Sequence, residues 1–293
     1  MVKVLICVDD TDDISKETST GKVAGLIEKE LLKLGGKIHL GITRHQLFLS
    51  DEIDYTSHNS SMCLEVFIQE DKINEFWDNS VKVLKGEMSQ ISDPGLCLCE
   101  MNKVKNIEKL IDFGLMAKEK VLYKKEAYDL AKECNVRLDE FGGTGAGVIG
   151  AIAGVGLRLF GYDGTFRGGK NLYGLEKSTF DVKELKKNLN IYQVLSKEGY
   201  SLDDDEQVLI NEKIKLVYYD YKKIALVKKR NNDWIICSKS ELFEKELLEN
   251  KTNYECENFT FDNDFDECLN NYETCCNCLY RRWSNKGIVC CYE

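Results

Sequence analysis

The sequence has little proline, no excess of positive charge and no long apolar run. Only 1 of its 293 residues is proline, so glycine, asparagine and aspartate must form most of its turns. The formal net charge of −10 argues against broad nucleic-acid binding driven by counterion release, although it leaves room for a local basic face. No apolar run approaches the ~20 residues that a membrane span needs, and no basic segment precedes an apolar one at the N-terminus. We therefore expect a cytoplasmic protein.

The remaining composition is that of an ordinary globular chain. Hydrophobic residues make up 43% and charged residues 31%, and the length predicts about two domains with room for a small third module. The 13 cysteines are odd in number and scattered along the chain, which argues against a disulfide scaffold in a reducing compartment. Cys7 and Cys63 lie in apolar runs, so we expect them to be buried and reduced.

The first 34 residues carry the most informative pattern. The apolar run Val2–Val8 predicts a buried strand, and the periodicity of Gly21–Leu34 predicts a helix. Between them lie four carboxylates and several hydroxyls, namely Asp9, Asp10, Asp12, Asp13, Ser15, Thr18, Ser19 and Thr20. Clustered carboxylates can hold Mg²⁺ together with substrate phosphates, and neighbouring hydroxyls can position or accept a phosphate. The alternative is a turn and a helix cap, but one cap needs one such residue rather than four acids.

Further polar candidates follow the next predicted strands. The runs Lys37–Thr43 and Met62–Ile68 predict strands, and Arg44 comes directly after the first of them. Its guanidinium matches phosphate oxygens, so Arg44 is a candidate cofactor-binding residue, with a surface ion pair as the alternative. His45 and His58 are predicted to lie in loops, where each is either a substrate contact or a solvated side chain.

A glycine-rich segment, residues 141–169, is the second informative stretch. Gly143, Gly145 and Gly147 precede a predicted apolar helix, Val148–Leu157. Their backbone N–H groups could cradle a phosphate, but small residues could equally allow the helix to pack closely on a neighbour. The spacing is neither the dinucleotide fingerprint nor a P-loop, and the preceding charged stretch Arg137–Glu140 does not indicate a strand. Asp163 and Arg167 are polar candidates for the same pocket.

Four other segments have a recognisable pattern. Residues 74–84, 124–134 and 185–195 predict helices, and residues 92–100 predict a turn followed by a strand. Cys97 and Cys99 fall on one side of that strand and are predicted to be strand residues rather than half of a metal site. Residues 207–238 predict a small β-barrel or meander. Its surface either stacks nucleic-acid bases or is a strand edge protected by lysines, and the residues concerned are Tyr218, Tyr219, Tyr221, Lys222, Lys223, Lys228, Lys229 and Arg230.

The cysteine-rich tail is predicted to form a separate module over residues 250–293. Cys275 and Cys278 have the spacing of a metal knuckle, and with Cys268 and Cys290 they could complete a zinc site. Free thiols or a redox pair are the alternatives. Arg281 and Arg282 adjoin Trp283, a mixture of cations and aromatic rings that is typical of nucleic-acid contacts.

Two of these segments resemble the archaeal tRNA-Ile agmatidine synthase family. The first is the strand end Val8-Asp9-Asp10-Thr11-Asp12 with the following Thr18-Ser19-Thr20, and the second is the glycine stretch Gly147-Val148-Ile149-Gly150-Ala151-Ile152-Ala153-Gly154-Val155-Gly156. They occur in the order of the family's two signatures, and the resemblance covers about the first 170 residues. It implies an enzyme that uses ATP and Mg²⁺ to phosphorylate the C2 carbonyl of a wobble cytidine, so that agmatine displaces the phosphate.

The resemblance also implies site residues and an architecture. Asp9, Asp10 and Asp12 would hold metal and phosphate, Asp10 would take part in catalysis, and Ser19 or Thr20 would be the residue that is itself phosphorylated. The implied α/β fold has a kinase-like ATP/Mg-binding domain (1–110), a ferredoxin-like domain with the glycine segment (111–200), an OB-like β-rich module (201–249) and the zinc module (250–293).

Three functions follow from these observations. The first is an ATP- and Mg²⁺-dependent enzyme that activates a tRNA cytidine for attack by an amine. The second is an ATP-dependent enzyme with the same core that acts on a small molecule. The third is a non-catalytic module that binds RNA or protein and carries a zinc tail. The oligomeric state does not follow from the sequence.

Overall fold

The computed structural model has a mixed α/β fold with a large mixed sheet. It describes residues 1–11, 19–50, 53, 59–168, 172–175 and 178–237, together with the backbone of residues 281–284 and 287–290. The helices are α1 (Thr20–Lys33), α2 (Ile73–Glu87), α3 (Ile107–Met116), α4 (Lys124–Cys134), α5 (Gly147–Phe160) and α6 (Val182–Leu189), and a short 3-10 helix (Glu70–Lys72) precedes α2.

The strands fall into two groups along the chain. In the first half they are β1 (Val2–Asp9), β2 (Lys37–Gln46), β3 (Ser60–Ile68), β4 (Gly95–Glu100) and β5 (Arg137–Glu140). In the second half they are β6 (Thr165–Phe166), β7 (Thr179–Asp181), β8 (Gln193–Ser196), β9 (Gln207–Leu209), β10 (Leu216–Tyr219), β11 (Lys222–Arg230) and β12 (Asp233–Ile236). A hairpin of β13 (Arg281–Ser284) and β14 (Gly287–Cys290) forms a separate sheet.

The first five strands form an antiparallel sheet with β1 at its centre, in the order β5-β4-β1-β3-β2. Because side chains alternate along a strand, β1 supplies both faces of this sheet. Val4, Ile6 and Val8 pack with α1 and α2 on one face. Leu5 and Cys7 pack with α3, α4 and α5 on the other face. The sheet is therefore covered on both sides, and its central strand is buried.

Helix α5 is buried along almost its whole length. Its residues are apolar or small on every side, which is the pattern of a helix that is enclosed by other elements. It crosses the sheet beneath α3, where Gly114 of α3 approaches the α5 backbone so closely that a Cβ would overlap it. The end of α5 leads into β6, which pairs with both β2 and β10 and joins the two halves of the sheet.

The second half of the sheet contains β6 to β12, with its own core of residues from 166 to 236. Its strands are mixed in direction, because β8 runs parallel to β11 and β9 runs parallel to β12. This core includes residues before and after position 200, and the predicted domain boundaries stay predictions. Among the described helices, none combines the length and the apolar character needed to cross a membrane.

Three sequence-based assignments need correction. Arg44, His45 and Gln46 do not follow a strand but belong to β2, which ends at Gln46. The charged stretch Arg137–Glu140 is a strand after all, at the edge of the sheet, where only Leu138 is buried. The predicted helix over 185–195 ends at Leu189, and Gln193 begins β8.

Candidate functional site

The two segments with the family motifs meet at one end of the central strand. Asp9 is the last residue of β1 and is 6% exposed, and Asp10 follows it with a positive φ of 53°. The first turns of α5 lie against both residues. At Gly147 a Cβ would come within 3.2 Å of the Asp10 Cβ, and at Gly150 a Cβ would overlap the Asp9 carboxylate. The structure therefore brings the acidic strand end and the glycine helix into direct contact.

The glycines of α5 have a packing cause. A Cβ at Gly147 would overlap the Asp93 carbonyl, and one at Gly154 would crowd the Ser61 hydroxyl and the Cys7 thiol. At Gly156 it would overlap the Leu110 carbonyl of α3. The small residues thus let α5 lie directly on the sheet and on α3, as the close-packing interpretation of this segment predicts.

The loop before α5 is held by Asp93, a residue that the sequence analysis did not single out. One carboxylate oxygen of Asp93 accepts from the backbone N–H of Thr144 at 2.5 Å, and the other accepts from its hydroxyl at 2.5 Å. Gly143 and Gly145 have positive φ values of 51° and 76°, which glycine adopts without strain. The N–H of Gly145 donates to the Gly142 carbonyl, and that of Gly147 donates to the Asp93 carbonyl.

The role of Gly143, Gly145 and Gly147 in binding a cofactor stays a prediction, and these hydrogen bonds limit which of their N–H groups a phosphate could use. Of the three, Gly147 lies against Asp10 at the acidic strand end, whereas Gly143 lies against Asp93 and Gly145 against Glu140. In the conformation described, however, two of their N–H groups donate to carbonyls of the protein. A phosphate could use them only if the loop rearranged. The Asp-Pro-Gly sequence at residues 93–95, at the start of β4, is the signal by which Asp93 could have been found.

The start of α1 forms a second side of the site. Ser19 is the N-cap residue, and its hydroxyl accepts from the Lys22 N–H at 3.1 Å. Thr20 is buried, and its hydroxyl accepts from the Thr11 hydroxyl at 3.3 Å. The unbonded N–H groups of a first helical turn carry partial positive charge and attract anions. Thr11 thereby ties the loop after β1 to this helix end.

Two guanidinium groups lie on the α1 side of the sheet. The Arg167 side chain crosses the first turn of α1, where a Cβ at Gly21 would overlap it. Arg44 is 6% exposed, and its Nε donates to the Ser60 hydroxyl at 2.9 Å. Because Arg44 pairs with Thr165, two residues before Arg167, both side chains leave the same face of the sheet. Arg167 therefore borders the helix start, which the hydrogen bond between Thr11 and Thr20 joins to the loop after β1.

Asp163 and His45 belong to a separate buried network. His45 is fully buried, with Nδ1 2.9 Å from the Asp163 carboxylate and Nε2 2.8 Å from the Thr43 hydroxyl. Lys118 also pairs with Asp163, and the Arg158 guanidinium donates to Thr43 at 2.9 Å. His45 is thus a core residue rather than a loop residue. His58 lies outside the described residues.

Burial is the largest influence on His45 and lowers its pKa. The hydrogen bond and charge of Asp163 oppose this, while the charges of Arg158 and Lys118 add to it. Burial alone would raise the pKa of Asp163, but its hydrogen bond with His45 and the charge of Lys118 outweigh burial and lower it. At neutral pH the network therefore holds a neutral imidazole and an ionised carboxylate.

Acidification should weaken the fold through His45. The unfolded chain binds a proton near the ordinary pKa of ~6.5, whereas the folded chain binds it only at lower pH. The free energy of unfolding should therefore fall below about pH 6.5, by no more than about 1.4 kcal/mol per pH unit. Urea unfolding at pH 7.5 and 5.5 measures this, and His45→Gln should show a smaller decrease. An equal decrease in both proteins would contradict it.

A row of thiols crosses the face of the sheet beneath α5. Cys7 pairs with Cys63 on one side and with Cys97 on the other, and all three are free and fully buried. Burial, followed by the neighbouring Cys63, raises the pKa of the Cys7 thiol well above its usual value. The prediction of buried, reduced cysteines is confirmed, and Cys97 and Cys99 are strand residues as expected.

Several predicted ligands lie outside the described residues, namely Asp12, Thr18, Cys268, Cys275 and Cys278, and of Cys290 only the backbone is described. Within the described ranges, no three histidine, cysteine, aspartate or glutamate side chains are grouped as a metal site. The zinc site of the tail stays a prediction. Asp9 and Asp10 remain together at the strand end as oxygen donors.

Comparison with known proteins gives matches to solved structures alone, since no protein-family model matches the chain and no curated protein matches its sequence. It is similar to the crystal structure of apo TiaS, a tRNA agmatidine synthetase, with 22% identity and a TM-score of 0.45 over 53% of this chain and 35% of that one. It is also similar to the complex of TiaS with its tRNA, AMPCPP and agmatine, with 22% identity and a TM-score of 0.46 over 63% of this chain and 43% of that one. A third similar structure is that of a tRNA fluorescent labeling enzyme, with 24% identity and a TM-score of 0.45 over 53% of this chain and 36% of that one. The chain thus spans less than half the length of the proteins it matches.

Proposed function

We propose that this protein uses ATP and Mg²⁺ to phosphorylate and thereby activate a tRNA cytidine, which an amine such as agmatine then attacks. One observation carries the proposal. The acidic strand end and the glycine helix, which separately resemble the two family signatures, lie against each other at one site. They are about 140 residues apart in sequence, so only the fold brings them together.

The donor set at the strand end fits Mg²⁺. Asp9 and Asp10 supply carboxylate oxygens, the ligand type that Mg²⁺ prefers, and this ion usually binds through one or two carboxylates together with substrate phosphates. Asp9 is held in place because Gly150 leaves room for its carboxylate against α5. When bound, Mg²⁺ would neutralise charge on the phosphates during transfer.

The opposite side of the site fits the phosphates. The first turn of α1 carries N–H groups that attract anions, and the Arg167 side chain lies across that turn. Arg44 lies on the same face, and a guanidinium is the side-chain group that best matches phosphate oxygens. In this proposal α1 and the two arginines bind and orient the phosphates, while Asp9 and Asp10 hold the metal.

Ser19 and Thr20 are the proposed hydroxyl groups for phosphorylation of the protein itself. Ser19 is at the helix cap, where its hydroxyl already accepts a hydrogen bond from the Lys22 N–H. A phosphate on that hydroxyl would lie at a helix N-terminus, where negative charge is stabilised. Thr20 is buried beside Thr11 and has less access to solvent.

The test is a product analysis with ATP labelled in its γ-phosphate. The protein is incubated with Mg²⁺, with or without bulk tRNA and agmatine that carries a second label, and both labels are then measured in the separated free phosphate, protein and RNA. We expect Mg²⁺-dependent release of phosphate that needs tRNA, and incorporation of agmatine into the RNA. Turnover that tRNA does not stimulate would favour a small-molecule acceptor. Absence of any Mg²⁺-dependent turnover would refute the proposal.

A further inference from the structure

An exposed group of tyrosines lies at and around the hairpin that joins β10 to β11. Tyr162, Tyr192, Tyr219 and Tyr221 are between 45% and 66% exposed. The Tyr162 ring is 5.2 Å from that of Tyr219 and 6.2 Å from that of Tyr221, with edge-to-face geometry in both pairs. We call these four residues the tyrosine surface. Tyr218, which the sequence analysis included among its exposed aromatics, is instead 2% exposed and belongs to the core.

The rings come from different parts of the chain, and polar contacts fix their positions. The Tyr162 hydroxyl donates to the Asp220 carboxylate at 3.1 Å. Lys222 pairs with the same carboxylate, and its ammonium lies 4.7 Å from the centre of the Tyr192 ring. A loop after α5, the residue before β8 and the β10–β11 hairpin are therefore joined into one surface.

The conformation of Tyr221 is unusual for its residue type. Asp220 and Tyr221 form the two-residue turn, with positive φ values of 50° and 57°. Such turns favour asparagine, aspartate and glycine, whereas a bulky side chain at positive φ is strained. The next hairpin, between β11 and β12, has the same kind of turn with Asn231 and Asn232, at φ values of 49° and 72°. The chain thus places an aromatic ring where this turn disfavours one.

Packing does not fully account for this choice. One side of the Tyr221 ring lies over Gly161, where a Cβ would crowd the ring atoms. Tyr221 nevertheless stays 53% exposed. Strained residues that the fold retains are often functional. A ring that is held on one side and open to solvent on the other is suited to stacking against a flat ligand.

We infer that the tyrosine surface binds unpaired bases of an RNA strand. Bases stack on aromatic rings whatever their sequence, and a neighbouring ammonium such as that of Lys222 can contact the backbone. The four side chains offer rings on which bases can stack and hydroxyls that can bond to their polar edges. The choice of RNA as the partner rests on the proposed function.

The test measures RNA affinity directly, without ATP. Fluorescence anisotropy with a labelled single-stranded RNA of mixed sequence, and with bulk tRNA, is measured for the full chain. Tyr219→Ala and Tyr221→Gly should each weaken binding by roughly 10-fold. Tyr221→Gly should keep the fold, because glycine adopts this turn conformation without strain. Tyr221→Phe keeps the ring and should bind as the wild type does.

Tyr200→Ala is the matched control, because Tyr200 is 70% exposed and lies outside the tyrosine surface. It should leave the affinity unchanged. Wild-type affinity in the folded Tyr219→Ala and Tyr221→Gly variants would overturn the inference and favour a protein partner for these rings. The proposed function would still stand in that case, provided that the variants turn over ATP in the presence of tRNA. The opposite outcome is also distinguishable. If the wild-type protein shows no ATP turnover but both variants lose RNA binding, the proposed function is refuted and RNA binding by the tyrosine surface is supported.

Discussion

Asp10→Asn is expected to abolish almost all Mg²⁺-dependent ATP turnover while the protein stays folded. Asparagine has the shape of aspartate and tolerates the left-handed conformation that Asp10 adopts at a φ of 53°. The exchange therefore removes a negative oxygen without disturbing the turn. Loss of a metal ligand removes several kcal/mol of transition-state stabilisation, so the rate of turnover should fall roughly 10²- to 10³-fold. Initial rates of phosphate release over a series of Mg²⁺ concentrations measure it.

Asp129→Asn is the matched control for this variant. Asp129 lies on the exposed side of α4 and pairs with Lys125 of the same helix, so its replacement should leave both turnover and stability unchanged. Thermal unfolding of the two variants separates loss of chemistry from loss of structure. Full turnover in folded Asp10→Asn would remove Asp10 from the metal site and with it the main support for phosphotransfer at this strand end.

Regular periodicity in the sequence was enough to predict the elements that frame the site. The run Val2–Val8 lies in β1, and the pattern over Gly21–Leu34 predicted α1 (Thr20–Lys33) to within one residue at each end. These segments have a strong apolar pattern, and their local preference agrees with their place in the fold. The α/β class was implied by the family resemblance, and the mixed sheet with its helices agrees with it.

Polar strands were not predictable in the same way. The end of β2 contains Arg44 and His45, whose burial depends on partners such as Ser60 and Asp163 that are far away in sequence. Strand β5 has a single buried residue, Leu138, because it lies at the sheet edge. Neither strand shows the alternation of apolar and polar residues from which strands are identified. Tertiary contacts alone determine where these residues lie.

The glycine segment shows how much a motif leaves open. Its sequence is compatible with a phosphate cradle and with close packing, since both need residues without side chains. The structure adds that Gly150 faces the Asp9 carboxylate and that Gly156 faces the α3 backbone. A pattern of small residues therefore predicts close approach, but only the fold shows which group approaches.

Two glycine-to-alanine exchanges should have opposite effects, because their surroundings differ. At Gly150 a Cβ would overlap the carboxylate of the buried Asp9, whereas at Gly86, in the last turn of α2, it would meet nothing within 4 Å. Overpacking should lower the free energy of unfolding of Gly150→Ala by about 1–3 kcal/mol. Gly86→Ala should raise it by up to about 1 kcal/mol, because alanine favours the helix and restricts the unfolded chain.

The effect on ATP turnover should follow the same contrast. In Gly150→Ala the Asp9 carboxylate must move or α5 must shift away from the sheet, and a displacement of about 1 Å in a catalytic arrangement can cost roughly 10²-fold in rate. Gly86→Ala should turn over ATP as the wild type does, because a Cβ at Gly86 would meet nothing within 4 Å and would displace no group of the site. Urea unfolding and initial rates of phosphate release are measured for both. If folded Gly150→Ala keeps wild-type turnover, contact between Asp9 and α5 does not position the metal ligands, and the phosphotransfer site must lie elsewhere.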